Sequence, residues 1–332
     1  PTVFESVEAD YHHLKKAVQI WDVSCERQVE LRGPDAAQLM QLLTPRPLAK
    51  MQVGQCYYVP IVDEAGGMLN DPVAVKLAED RWWISIADSD LLFWGKGVAF
   101  GRDLDVTIEE PDVSPLGVQG PLADDLMARV FGEAVRDVRF FRFGRFDFQG
   151  RSLVVARSGY SKQGGFEIYL EGSDLGMPLW TALMEAGQDL DVRAGCPNLI
   201  ERIEGGLLSY GNDMTRANTP FECGLDRFCK VGPEANCIGH SALQACAEEG
   251  PVQQIRALEI AGDAVPGCDR LWPLFDDGRQ VGHVSSAVWS PDYQTNVAVA
   301  MVRKDHWEPG TRLQVQTPGG LRGAVVREGF WA

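Results

Sequence analysis

Basic residues are scarce in this chain: 31 Lys and Arg stand against 47 Asp and Glu, a formal net charge of −16 over 332 residues. Binding phosphates calls for a cationic surface, so this balance argues against nucleic acid as a partner. Long apolar runs are missing too; nothing approaches the roughly 18 consecutive apolar residues of a membrane-spanning helix. Residues 1–6, Pro-Thr-Val-Phe-Glu-Ser, show neither a basic n-region nor an apolar h-region, so no secretory signal and a cytoplasmic location are expected. The eight cysteines (Cys25, Cys56, Cys196, Cys223, Cys229, Cys237, Cys246, Cys268) contain no C-x-x-C pair, and the five histidines lack zinc-ligand spacing. Free thiols, and no metal site, are the expectation. The motif G-x-G-x-x-G is absent, as is a P-loop, which removes those two routes to binding a nucleotide's phosphates.

What remains is a composition suited to a packed core, 45% hydrophobic and 23% charged. Length alone suggests about two domains. Up to about residue 250, strand-like and helix-like segments alternate. Helices are expected at 34–43, where Pro34 stands near the start, and at 123–131 and 177–186. Strands are expected at Arg81–Ala87, Ser152–Ala156 and Gly165–Leu170. In the last of these, Phe166, Ile168 and Leu170 fall on one face, Glu167 and Tyr169 on the other. Interleaved strands and helices without a phosphate loop favour an α+β fold over a Rossmann domain.

The texture changes after Glu248-Glu249-Gly250-Pro251. Short strand candidates at Gln253–Ile260, Gln280–Val288, Asn296–Val302, Arg312–Thr317 and Leu321–Arg327 are punctuated by Gly, Pro and Asp, as in a small β-barrel or sandwich. The expected division is therefore 1–250 and 251–332.

Three places can carry chemistry. Read as a helix, Pro197–Tyr210 puts Ile200, Ile203, Leu207 and Leu208 on one stripe with Glu204 inside it. A carboxylate there must be paired, neutralised or bound to a polar ligand, unless it caps a nearby loop; Arg202 projects elsewhere and reads as surface. Gly66-Gly67 is a turn leading into a strand with Asp71 expected at its start, where it either faces a cleft or caps backbone amides; Tyr57 and Tyr58 read as core or interface. In Arg157–Tyr169, Tyr160, Glu167 and Tyr169 either converge on a ligand, with Gly164-Gly165 letting the loop fold over it, or form an ordinary exposed strand face. Residue chemistry by itself stops at a cleft with carboxylates and aromatics.

Several segments resemble, in order, the motifs of the glycine-cleavage T-protein (aminomethyltransferase) family: Gly66–Asp71, Ser158–Glu167, Arg202–Leu207, Tyr210–Asp213, Thr219–Leu225, Ile238–Leu243 and Val281–Ser286. Within that family, Val18–Val23, Glu26–Val29, Gln55–Tyr58, Arg81–Asp90, Ser161–Gly165 and Cys196–Arg202 are most similar to the dimethylsulfoniopropionate demethylases. T-proteins proper carry T-G-E-D-G where Ser161–Gly165 stands, an arginine–aspartate pair at Asn198-Leu199, and D-D at Asn70-Asp71. The demethylases carry Trp where this chain has Tyr160.

This resemblance implies the T-protein folate-binding fold, two joined α+β units followed by a C-terminal β-barrel. It implies methyl transfer from a sulfonium donor, dimethylsulfoniopropionate, to tetrahydrofolate, giving 5-methyltetrahydrofolate and 3-(methylthio)propionate. By the same matching, Glu167 and Tyr169 hold the pterin with Tyr58 nearby, Tyr160 and Tyr169 contact the donor, and Asp71 accepts the N5 proton or orients it. The implied partners are a small sulfonium and folate, without nucleic acid or membrane; a homodimer is allowed. The alternatives are a folate-dependent enzyme acting on another sulfonium or methylated amine, an aminomethyltransferase serving a lipoyl carrier, or a non-catalytic folate-binding protein.

Overall fold

The structure, a computed structural model, describes residues 3–86, 90–232 and 236–332, so Ala87, Asp88 and Ser89 of the 81–90 stretch lie outside the described residues. The chain forms two compact units. One comprises residues up to Ile61 with Leu69–Asn198, the other Val62–Met68 with Leu199–Ala332.

Two sheets build the first unit. The larger has six strands, in spatial order Phe143–Phe148, Arg151–Ala156, Gly165–Glu171, Val113–Gln119, Val18–Asp22 and Val192–Gly195. Only the last pair is parallel. The alternation read from Gly165–Leu170 holds: Phe166, Ile168 and Leu170 pack with Ile20 and Val118 onto helices Ala123–Phe131 and Gly176–Ala186, through Leu126, Met127, Leu179 and Leu183. Tyr169 points to the opposite face. Slipping this strand by one residue would exchange three large apolar side chains for Glu167 and Tyr169. Each is worth about 1.5–3 kcal/mol when buried, so the register is pinned.

The second sheet is antiparallel: Cys56–Tyr58, Val73–Ala78, Arg81–Ser85, Gln28–Arg32 and Thr107–Glu109. Its Cys56, Val75 and Trp83 pack against Val154, Ala156 and Tyr169 of the first sheet. Both faces of Gly165–Glu171 are therefore covered, and the polar members of its second face sit where two sheets meet.

In the second unit six strands close a barrel: Gln253–Ile260, Thr295–Arg303, Arg279–Ser290, Trp272–Asp276, Arg312–Thr317 and Gly320–Val326. Trp272–Asp276 is not among the strands expected from sequence. Pro273 and the Asp276-Asp277-Gly278 turn mask its period, because proline normally demotes a strand reading. Its Trp272 and Leu274 are core residues with Leu258, Val284, Ala300 and Val326.

The helix expected over 197–210 is only Leu199–Glu204. Gly205 and Gly206 end it: Gly206 takes φ +64, and the Leu207 amide donates to the Arg202 carbonyl. Ile200 and Ile203 are buried, whereas Leu207 and Leu208 fall beyond the helix. Arg202, read as surface, is buried. Its guanidinium donates to Asp213 (2.9 Å) and Ser286 (2.7 Å). A bulge between Val284 and Ser286 lets the consecutive Ser285 and Ser286 hydroxyls both donate to Asp213 at 2.7 Å, which strict alternation would forbid. Glu204 accepts from Ser290 at 2.5 Å, and its carbonyl accepts from the Trp331 and Ala332 amides, so it ties this helix to the barrel and the chain's last residues.

Among the described residues no helix is long and apolar enough to cross a membrane.

Candidate active site

The site builds from the row of paired residues Ala156, Glu167, Gly117, Trp21 and Gly195 across the six-stranded sheet. Glu167 and Trp21 therefore stand on the same face with Gly117 between them. A Cβ at Gly117 would lie 3.4 Å from the Trp21 Cβ. Glycine there lets the Trp21 side chain lean across the strand, its ring 3.6 Å from where that Cβ would stand. Trp21 is fixed by donating Nε1 to Gln19 at 2.9 Å.

Tyr160 reaches this face from the loop before Gly165. Gln119 laces the loop down, donating to the Ser158 and Phe166 carbonyls (both 3.1 Å) and accepting from the Ser161 hydroxyl (2.7 Å). Gly159 makes that possible: its φ is +151, and a Cβ there would lie 2.2 Å from the Gln119 amide. The result packs Tyr160 against Trp21, Leu14 and Val23, and lets the Ser158 hydroxyl donate to Glu167. The T-protein-like loop is thus organised by Gln119, which sequence reasoning did not single out.

The five-stranded sheet supplies the other wall. Asp71 stands at the corner between strands Met68–Asn70 and Val73–Ala78, not at a strand start, because Pro72 interrupts the ladder. The Tyr58 hydroxyl donates to Asp71 at 2.7 Å, which places both of these expected site residues together. Tyr169 is fully buried against Trp83, ring centroids 5.7 Å apart, with its hydroxyl beside Ser85 but outside good hydrogen-bonding geometry. It forms the floor beneath Glu167, while Tyr58, Asp71, Tyr160 and Glu167 keep some exposure.

Glu26, which sequence reasoning met only inside a resembling stretch, joins this group. Burial and then the charges of Glu167 and Asp71 push its pKa up to about 8. Burial also raises the Glu167 carboxyl, opposed by the Ser158 hydrogen bond. Burial raises Tyr169 well above its usual value, with the Glu167 charge acting in the same sense, and does the same for the Cys56 thiol. Three carboxyl groups in one partly dry space cannot all ionise cheaply. Such a place accepts a cation, or donors from a ligand's N–H groups. The hollow of about 300 Å³ at Lys96, Ala99, Phe100, Leu104, Val106 and Ile108 has no comparable set of titratable groups. Glu204 and Arg202 belong to the second unit's own framework.

Comparison with known proteins shows the family of the chain. The family model described as the GCVT N-terminal domain matches residues 1–232, and that of the glycine cleavage T-protein C-terminal barrel domain matches residues 253–330. The chain is 65% identical over 331 residues to the dimethylsulfoniopropionate demethylase DmdA of Ruegeria pomeroyi, covering 100% of this chain and 90% of that one. It is 28% identical to an aminomethyltransferase of Bacillus pumilus, covering 100% of this chain and 92% of the relative. The crystal structure of aminomethyltransferase T from Bartonella henselae superposes with a TM-score of 0.90 at 23% identity, over 100% of this chain and 91% of that one, which shows the shared fold. The chain belongs to the glycine-cleavage T-protein (aminomethyltransferase) family.

Proposed function

We propose that this protein transfers a methyl group from dimethylsulfoniopropionate to N5 of tetrahydrofolate, releasing 3-(methylthio)propionate. The observation that carries the reading is the 65% identity, along the whole chain, to a dimethylsulfoniopropionate demethylase. The site residues suit the task. Glu167, partly exposed and across the strand pair from Gly117, would accept two N–H donors of a pterin ring, the bidentate recognition a carboxylate performs well. Tetrahydrofolate supplies the chemistry of a nitrogen nucleophile that gives up its proton. Asp71, hydrogen-bonded by Tyr58, would accept that proton or orient the group that carries it.

A sulfonium already has a good leaving group, a neutral thioether. The protein's work is alignment, which can contribute roughly 7–11 kcal/mol. Tyr160, packed against Trp21, would offer aromatic surface to a cation, at about 0.5–2 kcal/mol per contact. A modest aromatic grip is appropriate, because the sulfur loses its charge in the transition state and a hold directed at sulfur alone would raise the barrier. Incubating the protein with tetrahydrofolate and dimethylsulfoniopropionate and following 5-methyltetrahydrofolate by mass tests the proposal. Formation of that product only when both are present supports it; its absence rejects it.

A further inference from the structure

Glu26 is held in place by its surroundings before any question of charge arises. Its amide donates to the Val23 carbonyl at 2.8 Å, closing a tight turn, and its carbonyl accepts from the Gln28 side chain at 3.0 Å. The same Gln28 amide donates to Ser85 at 3.0 Å, so the turn is fastened to the sheet.

Register then sets Glu26's neighbours. Gln28, Ser85, Val73 and Tyr58 lie opposite one another across four strands. Strands Gln28–Arg32 and Val73–Ala78 are both antiparallel to Arg81–Ser85 and so run in one direction. Glu26 lies two residues before Gln28, and Asp71 two before Val73, so the two carboxyls leave the sheet at the same edge. That edge meets the face carrying Glu167 and Tyr169. The charges that act on Glu26 are the Glu167 and Asp71 carboxyls, and Glu26 acts in turn on the Tyr169 hydroxyl; Glu167 also acts on the Cys56 thiol, which feels Arg142 as well. Tyr58 is hydrogen-bonded to Asp71. Tyr169 and Cys56 are both pushed toward their neutral forms, leaving the carboxyls as the groups that exchange protons near neutrality.

We propose that Glu26 is the exchangeable proton of the site, ionising when the cationic donor enters and protonating again as methyl transfer discharges the sulfur. The proposal rests on the sulfonium reading given above. On binding, the Glu26 carboxylic acid loses its proton to solvent and its carboxylate balances the sulfonium. In the transfer, the carbon–sulfur bond breaks with its electron pair left on sulfur, and the methyl carbon bonds to N5. The N5 proton passes, directly or by way of Asp71, to the Glu26 carboxylate. Cation and proton thus replace each other, and the charge beside Glu167 and Asp71 stays constant throughout. A carboxylate left without either would be repelled by both neighbours.

Two measurements test this, both on the full chain. The first is kcat/KM for dimethylsulfoniopropionate at saturating tetrahydrofolate between pH 6 and 8. With Glu26 titrating at about 8, the ionised fraction rises about fifty-fold over that range and kcat/KM follows it. Glu26→Gln flattens the profile and Glu26→Asp keeps its slope. The second is calorimetry of the sulfonium binding at pH 7 in buffers of different ionisation heat, with 5-methyltetrahydrofolate filling the pterin site to prevent turnover. The unmutated chain releases close to one proton and Glu26→Gln almost none. Proton-free binding by the unmutated chain, or a Glu26→Gln profile as steep as the original, overturns the assignment while leaving the methyl transfer standing. A chain that makes no 5-methyltetrahydrofolate from the sulfonium at any pH removes the functional reading, and Glu26's part with it.

Discussion

Replacing Glu167 by glutamine should trade function for stability. Glutamine keeps the shape, and the Ser158 hydroxyl can still donate to its Oε1. What goes is the charge. Hydrogen bonds to a charged partner are worth about 1.5–3 kcal/mol, those between neutral groups about 0.5–1.5. Of the two pterin N–H bonds assigned to Glu167, one weakens by about 1–1.5 kcal/mol and the other, worth about 1.5–3 kcal/mol, is lost because the amide nitrogen donates rather than accepts, an affinity loss of roughly 70- to 2,000-fold for tetrahydrofolate. Stability should move the other way. Burial raises the Glu167 carboxyl above its unfolded value, so the folded chain binds more protons and loses stability as pH rises through that window. Glutamine carries no such cost, and at pH 8 the variant should melt no lower than the original. Calorimetry with tetrahydrofolate and a thermal scan at pH 8 provide both readings. Unchanged folate affinity would remove Glu167 from the pterin site, and weaker binding accompanied by a lower melting temperature would mark it as a structural prop.

Tyr160→Trp should retain turnover, since an indole keeps the aromatic surface beside Trp21, whereas Tyr160→Ala should lower kcat/KM for the sulfonium by about 2- to 30-fold; equal turnover by original and Ala variant would take Tyr160 out of the site. Asp213→Asn removes the charge that Arg202 is paired with inside the protein and should destabilise the second unit by about 3–5 kcal/mol, read as a lower urea midpoint; an unchanged midpoint would show the pair to be dispensable. Glu26 titrates at about 8 in the folded chain against an ordinary value of 4.5, so its proton favours folding at the acid end of that interval and the advantage is lost as pH rises toward 8. The slope is at most about 1.4 kcal/mol per pH unit for this group. Comparing urea midpoints at pH 6 and 8, Glu26→Gln should lose less than the original chain, and parallel losses would contradict the buried carboxyl.

Local pattern was enough for elements whose partners do not alter their period. The alternation of Gly165–Leu170 is legible because one residue in two faces a helix layer, and 123–131 and 177–186 read as helices because their apolar faces recur at helical spacing. Other segments were not legible. Leu91–Gly101 is apolar nearly all round and gives no stripe, and Val7–Leu14 and His240–Glu249 are short with weak apolar faces, so none was anticipated as a helix. The helix at 199–204 stops at Gly205-Gly206, although its apolar residues continue to Leu208. The roles proposed for Tyr58, Asp71, Glu167, Tyr169 and Tyr160 came from motif resemblance; composition and spacing left each of them beside an ordinary structural reading.

By itself, then, hydrophobic rhythm determined the α+β character and the register of the strand that carries Glu167, because these follow from which side chains must leave water; the family, and a barrel rather than a sandwich at the end of the chain, came from motif resemblance. The sequence could not decide what a charged side chain would face. Arg202 reads as surface until the fold sets it against Asp213 and Ser286, and Glu26 has no reading of its own until two sheets meet and set it with Asp71 and Glu167. Hydrophobic periodicity is a property of neighbours along the chain. The cost of a buried charge depends on groups far away in sequence, and only the folded arrangement supplies those.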